Sequence, residues 1–217
     1  MSETVVAEIV GPAGAGKSTL ACALRRRSAE GVRAGLGVWG LPAPLLLSTA
    51  VLSLPQLLGL WRVRGAVAWH EATLFVRLNA LGRLLGREAS RACKFLLLDE
   101  GTVFALAKLH AFGGETDERR LGRLVERTAS KLDAVVWLDA PDEVLARRIR
   151  EREKPHRMKA RTDEEISDFL ARYRASYERV VAELCARRKV RVIRVNTDGR
   201  TPEQVAEEVL RGIKTGA

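Results

Sequence analysis

Near the amino terminus, Gly11-Pro12-Ala13-Gly14-Ala15-Gly16-Lys17-Ser18 fills the pattern G-x-x-x-x-G-K-[ST]. Glycines at these positions let the backbone curl so that successive N–H groups converge on an anion. A helix starting at Lys17 would aim its positive end at the same point. The chemistry that suits such a cradle is the binding of a polyphosphate. Lys17 is expected to reach the β- and γ-phosphates, Ser18 to offer its hydroxyl to Mg²⁺, and Thr19 to touch the α-phosphate. Gly11, Ala13, Gly14, Ala15 and Gly16 supply the surrounding backbone.

Two further groups of residues could act on that polyphosphate. Phe95-Leu96-Leu97-Leu98-Asp99-Glu100 is an apolar run closed by two acids. An acid at a strand end beside a phosphate loop holds Mg²⁺ through water or receives a proton from an acceptor. Asp99 is the expected metal and acceptor residue and Glu100 the second candidate, with helix capping or a solvated turn as their alternatives. The third group is Leu138-Asp139-Ala140-Pro141-Asp142-Glu143-Val144 followed by Arg147-Arg148-Ile149-Arg150-Glu151-Arg152. Arg148 and Arg152, four residues apart, share one face of a helix.

Taken together, the phosphate loop, the acid-ended strand, the L-D-x-P-x-E-V segment and the arginine run resemble the P-loop nucleoside and nucleotide kinases, the thymidylate-kinase-like branch in particular. The resemblance spans nearly the whole chain and implies ATP and Mg²⁺ as cofactors. It implies that Arg148 and Arg152 are lid arginines closing over the transferred phosphoryl group within a lid at 147–161. It also implies that Asn196–Val205 borders the adenine. The pattern departs from the family on the acceptor side. Thymidylate kinases carry an arginine where this chain has Glu100, and deoxynucleoside kinases carry a glutamate after the second strand, where this chain reads Val38-Trp39-Gly40-Leu41-Pro42. Arg77 and Arg83 are the nearest acceptor-side cations.

The elements that must position these residues follow from periodicity. Apolar runs at Val5–Val10, Val32–Trp39, Lys94–Leu98, Ala134–Leu138 and Val190–Val195 read as strands, and a helix is expected from Lys17 to about Ala29. Strands spaced by helices give an α/β fold: a P-loop NTPase fold with a parallel sheet of about five strands, helices on both faces and a small helical lid. One domain is expected over 1–217, with 34–90 as a helical acceptor-side region. Ala34–Trp61 runs 28 positions without a charge. Its prolines and short apolar core argue against a membrane span. A buried or pocket-lining helical hairpin is the first expectation and a peripheral membrane contact through 34–61 the second. Because the segment falls where such kinases build acceptor contacts, the acceptor is expected to be less anionic and more apolar than dTMP.

Composition narrows the class further. Thirty-seven basic against 27 acidic residues leave a net charge of +10, which suits a polyanionic partner. Cys22, Cys93 and Cys185 are scattered and three histidines form no ligand set. A reducing, cytoplasmic setting fits, with neither a disulfide framework nor a zinc site. The amino terminus lacks the basic start of a signal peptide. No L-S-G-G-Q or N-K-x-D motif appears, so neither a transporter ATPase nor a GTPase is expected. Tyr173 and Tyr177 read as core rather than as stacking platforms, and no nucleic-acid partner is expected. The reading is an ATP-dependent kinase for a small-molecule acceptor. A P-loop NTPase without an acceptor, at a membrane surface, is the alternative, and a homodimer stays open.

Overall fold

A computed structural model describes residues 4–65, 69–88, 93–112, 132–153 and 155–215. Lys154, within the expected lid, lies outside the described residues. The elements are β1 (Val5–Val10), α1 (Lys17–Arg25), β2 (Val32–Leu36), α2 (Ala43–Arg64), α3 (Trp69–Glu88), β3 (Phe95–Asp99), α4 (Thr102–Phe112), β4 (Ala134–Asp139), α5 (Asp142–Glu151), α6 (Asp163–Arg187), β5 (Arg191–Asn196) and α7 (Pro202–Lys214).

The five strands form one sheet in the order β2-β3-β1-β4-β5, with every pairing parallel. Strands buried on both faces need apolar residues at every position rather than at alternate ones, and Phe95-Leu96-Leu97-Leu98 shows it. Leu96 and Leu98 join the core under α2, α3 and α4. Phe95 and Leu97 join the core under α1, α5 and α7. Helix α6 serves both cores, with Ile166 and Leu170 in one and Tyr177 and Leu184 in the other. A Thr162–Glu165 capping box starts it. The expected α/β architecture, with helices on both faces, is therefore observed.

Boundaries differ where glycine or charge intervenes. Strand β2 stops at Leu36 rather than Trp39, after a register shift at Gly35, whose φ is +91°. Helix α1 stops at Arg25, and a single 3-10 turn occupies Ser28–Glu30.

The uncharged segment corrects one expectation. It does form a helical hairpin, with α2 running through Pro55 and packing on α3. That hairpin is neither buried nor pocket-lining along its length. Leu47, Val51, Leu54, Leu58 and Trp61 are 50–70% exposed, whereas Thr49 and Ser53 are buried. Ser53 accepts from Asn79 and Thr49 from Arg83, both on α3. Among the described residues no helix is long and apolar enough to cross a membrane.

Candidate active site

In open parallel sheets, ligands sit where strand order reverses, at the carboxyl ends. Here that place is the end of β1, flanked by β3 and β4. The phosphate loop leaves β1 there, and sterics fix its glycines. A Cβ on Gly11 (φ +144°) would lie 2.1 Å from the Leu138 carbonyl oxygen, and one on Gly14 (φ +84°) 2.8 Å from that of Leu145. Gly16 is left-handed, at φ +87°, where it caps α1. Lys17 Nζ donates to the carbonyls of Gly11 (2.7 Å) and Pro12 (2.8 Å), spanning the loop from within. Burial pulls its ammonium down to about 8, against the opposing pull of Asp99 and Glu100.

A cavity of about 470 Å³ opens above the loop. Ala13, Gly14, Ala15, Ser18 and Thr19 form its floor, with Ser18 and Thr19 exposed to it; the walls include Arg148 and Arg152 from α5 and Thr197 and Arg200 after β5. Arg148 is a brace rather than a free cation. It donates to the Thr197 hydroxyl (2.9 Å), the Thr197 carbonyl (3.0 Å) and the Gly14 carbonyl (3.4 Å). Thr197 in turn donates its backbone N–H to the Asp139 carbonyl at 2.9 Å. One side chain thus ties α5, the phosphate loop and the β5–α7 loop around the cavity. Arg152, at the carboxyl end of α5, is exposed and lowers the proton affinity of Lys17. Arg147 and Arg150 are exposed as well.

The two strand-end acids have different surroundings. Asp139 accepts two bonds of 3.0 Å from Arg174 on α6, which also pairs with Asp142. Asp99 has a buried Oδ1 with no hydrogen-bond partner. Burial raises its proton affinity, while Lys17 and Arg25 oppose the rise. Glu100 follows in a left-handed conformation, φ +56°, costly for a residue with a Cβ and frequent at functional turns. Burial and the Asp99 charge raise its pKa, and Lys17, Lys108 and Arg152 oppose them.

Sequence reasoning missed what holds this turn. Glu8, in the middle of β1, is fully buried. Its carboxylate accepts from Thr102 Oγ1 (2.9 Å), Val103 N (2.9 Å) and Phe104 N (2.8 Å). It thereby satisfies the free N–H groups at the start of α4. A Cβ on Gly101 would lie 2.7 Å from the Glu8 carboxyl, so only glycine fits between them. Desolvation raises the pKa of Glu8, against the pull of these bonds. A lone acid inside V-V-A-E-I-V was the available signal, since a charge in a central strand must find donors.

On the other side of Asp99, the residues after β2 are pinned to the turn. Val38 N–H donates to the Glu100 carbonyl at 2.9 Å. Gly37 packs so closely that a Cβ there would lie 1.9 Å from the Asp99 carbonyl oxygen. Trp39 follows, 48% exposed. The Arg77 guanidinium lies 4.8 Å and the Lys108 ammonium 5.1 Å from its ring centroid. Arg77 also donates to the Val38 carbonyl (2.8 Å), while its Nε is buried without a partner. Arg83 sits elsewhere, on Thr49. Trp39 and Lys108 escaped the sequence reading because neither belongs to a motif.

The fold is that of the P-loop nucleoside and nucleotide kinases. Solved structures with this architecture include thymidylate kinase from Candida albicans, at 14% identity and TM-score 0.57, covering 100% of this chain and 93% of that one. Deoxyadenosine kinase from M. mycoides with bound dCTP shares 13% identity at TM-score 0.53, covering 97% and 100%. Shikimate kinase from Bacteroides thetaiotaomicron shares 17% identity at TM-score 0.51, covering 97% of each chain. No protein-family model matches the chain, and no curated protein sequence matches it.

Proposed function

We propose that this protein transfers the terminal phosphoryl group of ATP to a hydroxyl or phosphate oxygen of a small acceptor. The observation that carries the reading is the pairing of a sterically fixed phosphate cradle with the buried, unpartnered Oδ1 of Asp99 beside it. The residues present fit a magnesium nucleotide. The exposed Ser18 hydroxyl and Asp99 would hold the ion, which when bound would neutralise charge on the phosphates. Backbone amides of Gly14, Ala15 and Gly16 and the Lys17 ammonium would bind and orient the triphosphate.

The acceptor oxygen would attack the γ-phosphorus while the bond to the ADP oxygen breaks. Where that oxygen belongs to a hydroxyl, its proton passes to the Asp99 carboxylate; an ionised phosphate oxygen attacks without giving one up. Arg152, in the 147–161 lid, would add positive charge where the transferring group carries negative charge. Arg148 would act from one step back, by shaping the nucleotide wall.

The acceptor reading shifts from the one the sequence suggested. Leu47, Leu52, Leu54 and Leu58 of α2 are exposed and none of them lines the cavity above the phosphate loop, so they do not support an apolar acceptor. Trp39, with the Arg77 and Lys108 cations near its ring, suits an acceptor that carries negative charge and has a flat or ring-shaped body. The same cluster favours a kinase over an NTPase without an acceptor, which would have no use for it.

An ADP-release screen across nucleosides, nucleotides, sugars and hydroxylated carboxylic acids tests the proposal, with Lys17→Ala as control. Acceptor-dependent ADP release from anionic compounds is expected. Slow hydrolysis unchanged by any acceptor would move the protein to the NTPase class.

A further inference from the structure

Helix α2 carries its apolar side chains outward. Leu47, Val51, Leu52, Leu54, Leu58 and Trp61 are each at least half exposed, and Trp69, at the start of α3, is 86% exposed. The side turned to α3 holds instead the buried Thr49 and Ser53, bonded to Arg83 and Asn79. At 3.6 residues per turn the outward set sweeps from Trp61 through Leu54, Leu47, Leu58 and Val51 to Leu52, an arc of about 180°. Helix α2 is thus apolar over the half of its circumference that meets water. Monomers in solution seldom leave so broad a patch uncovered.

We infer that this face of α2, with the tryptophans at its α3 end, docks on an anionic phospholipid surface. Charge supports it. No acidic residue occurs from Gly31 to His70, whereas 27 acids in 217 residues would put about five in a stretch of 40. The charged residues there are all basic: Arg33, Arg62 and Arg64. Arg62 falls within the apolar arc and is exposed beside Trp61. From that place its guanidinium can reach lipid phosphates while its stem lies along the apolar surface. Over the whole hairpin, 43–88, five arginines face two glutamates, and near an anionic leaflet each cation adds to the attraction. Residue type supports it as well. Tryptophan suits the level of the headgroups, where one side of its ring is apolar and its N–H is wet. Trp61 and Trp69 both stand exposed where α2 turns into α3. An isolated helix lying on a membrane needs a charged face for water. Helix α2 needs none, because its other side packs on α3. A facing helix would cover a narrow stripe and leave either Trp61 or Leu52 wet, whereas a fluid surface takes in the full arc. None of these residues lines the cavity above the phosphate loop, so docking leaves the nucleotide side open.

The test is flotation of the full chain with vesicles of equal parts phosphatidylcholine and phosphatidylglycerol. Nucleotide is left out, so the outcome is independent of the proposed activity. Wild-type protein is expected to float with these vesicles, and lipids brominated on their acyl chains to quench its tryptophan fluorescence. Leu54→Glu combined with Leu58→Glu changes two exposed positions and should weaken binding more than about tenfold with unchanged helicity. Arg62→Gln should weaken it about fivefold. Failure of the wild type to float would overturn the inference, as would full binding by the double glutamate variant or equal binding to phosphatidylcholine alone. A wild-type dimer that ignores vesicles would overturn it in favour of a second copy of the chain.

Discussion

The two halves of the candidate site, on either side of Asp99, are built by different means. On the nucleotide side, backbone does the holding. Three glycines are fixed by close approach or positive φ, Lys17 is clasped by two carbonyls of its own loop, and Arg148 bonds to carbonyls of Gly14 and Thr197. On the side proposed to take the acceptor, side chains stack on side chains. Trp39, Arg77 and Lys108 meet face to cation, with one ring half-exposed and one guanidinium nitrogen unpartnered. Main-chain cradles accept little change in residue type and recognise what all nucleoside triphosphates share. Stacked side chains can be exchanged while the sheet stays as it is, which lets one fold serve acceptors as different as those named for its structural neighbours.

This contrast can be broken at several points. The hinge between the halves is Asp99. Asp99→Asn should lower kcat by about 10²–10⁴ while changing ATP affinity less than about threefold, measured by acceptor-dependent ADP release and calorimetry. Equal turnover would remove the residue from the chemistry. Next comes the support beneath it. Glu8→Ala leaves the buried N–H groups of Val103 and Phe104 without acceptors and should cost on the order of 3 kcal/mol. The melting temperature should fall by about 6–12 °C, and an unchanged value would contradict the capping role.

Smaller effects separate the halves. Arg148→Ala should weaken ATP binding about tenfold, near 1.4 kcal/mol, and leave the acceptor KM unchanged, because the brace touches only the nucleotide wall. Trp39→Ala should do the reverse, raising acceptor KM about threefold to fivefold, within the range of an exposed cation–aromatic contact, with ATP affinity intact. If both variants moved both constants equally, the two sides would be one unit and the comparison would fail.

What was legible in the sequence follows the same division. The phosphate loop could be read because its physics is local: glycines, a strand before and a helix after all lie within about twenty residues. The five strands were legible from their apolar runs, though not their order, which depends on contacts between distant segments. Asp99 was legible as a strand-end acid, whereas the holding of Asp139, the other strand-end acid, by Arg174 on α6 was not. The family resemblance made Arg148 a lid cation, and only the fold shows its guanidinium on Thr197 and Gly14. The uncharged stretch over α2 suggested burial because composition reports how apolar a helix is and not which face it turns inward. The cluster of Trp39, Arg77 and Lys108 draws residues from β2's exit, α3 and α4, a juxtaposition no local pattern encodes.

The central claim is that the loop around Lys17 binds a nucleoside triphosphate. Titration calorimetry with ATP and Mg²⁺ tests it directly. In the free protein Lys17 is a cation below about pH 8 and neutral above it, while a bound triphosphate favours the cation, so binding takes up a proton as pH rises. Wild-type protein should bind at pH 7, and affinity should fall above pH 8 with a slope approaching tenfold per unit. Lys17→Ala should bind far more weakly and without that slope. No affinity in the wild type, or equal affinity in the variant, would contradict the account.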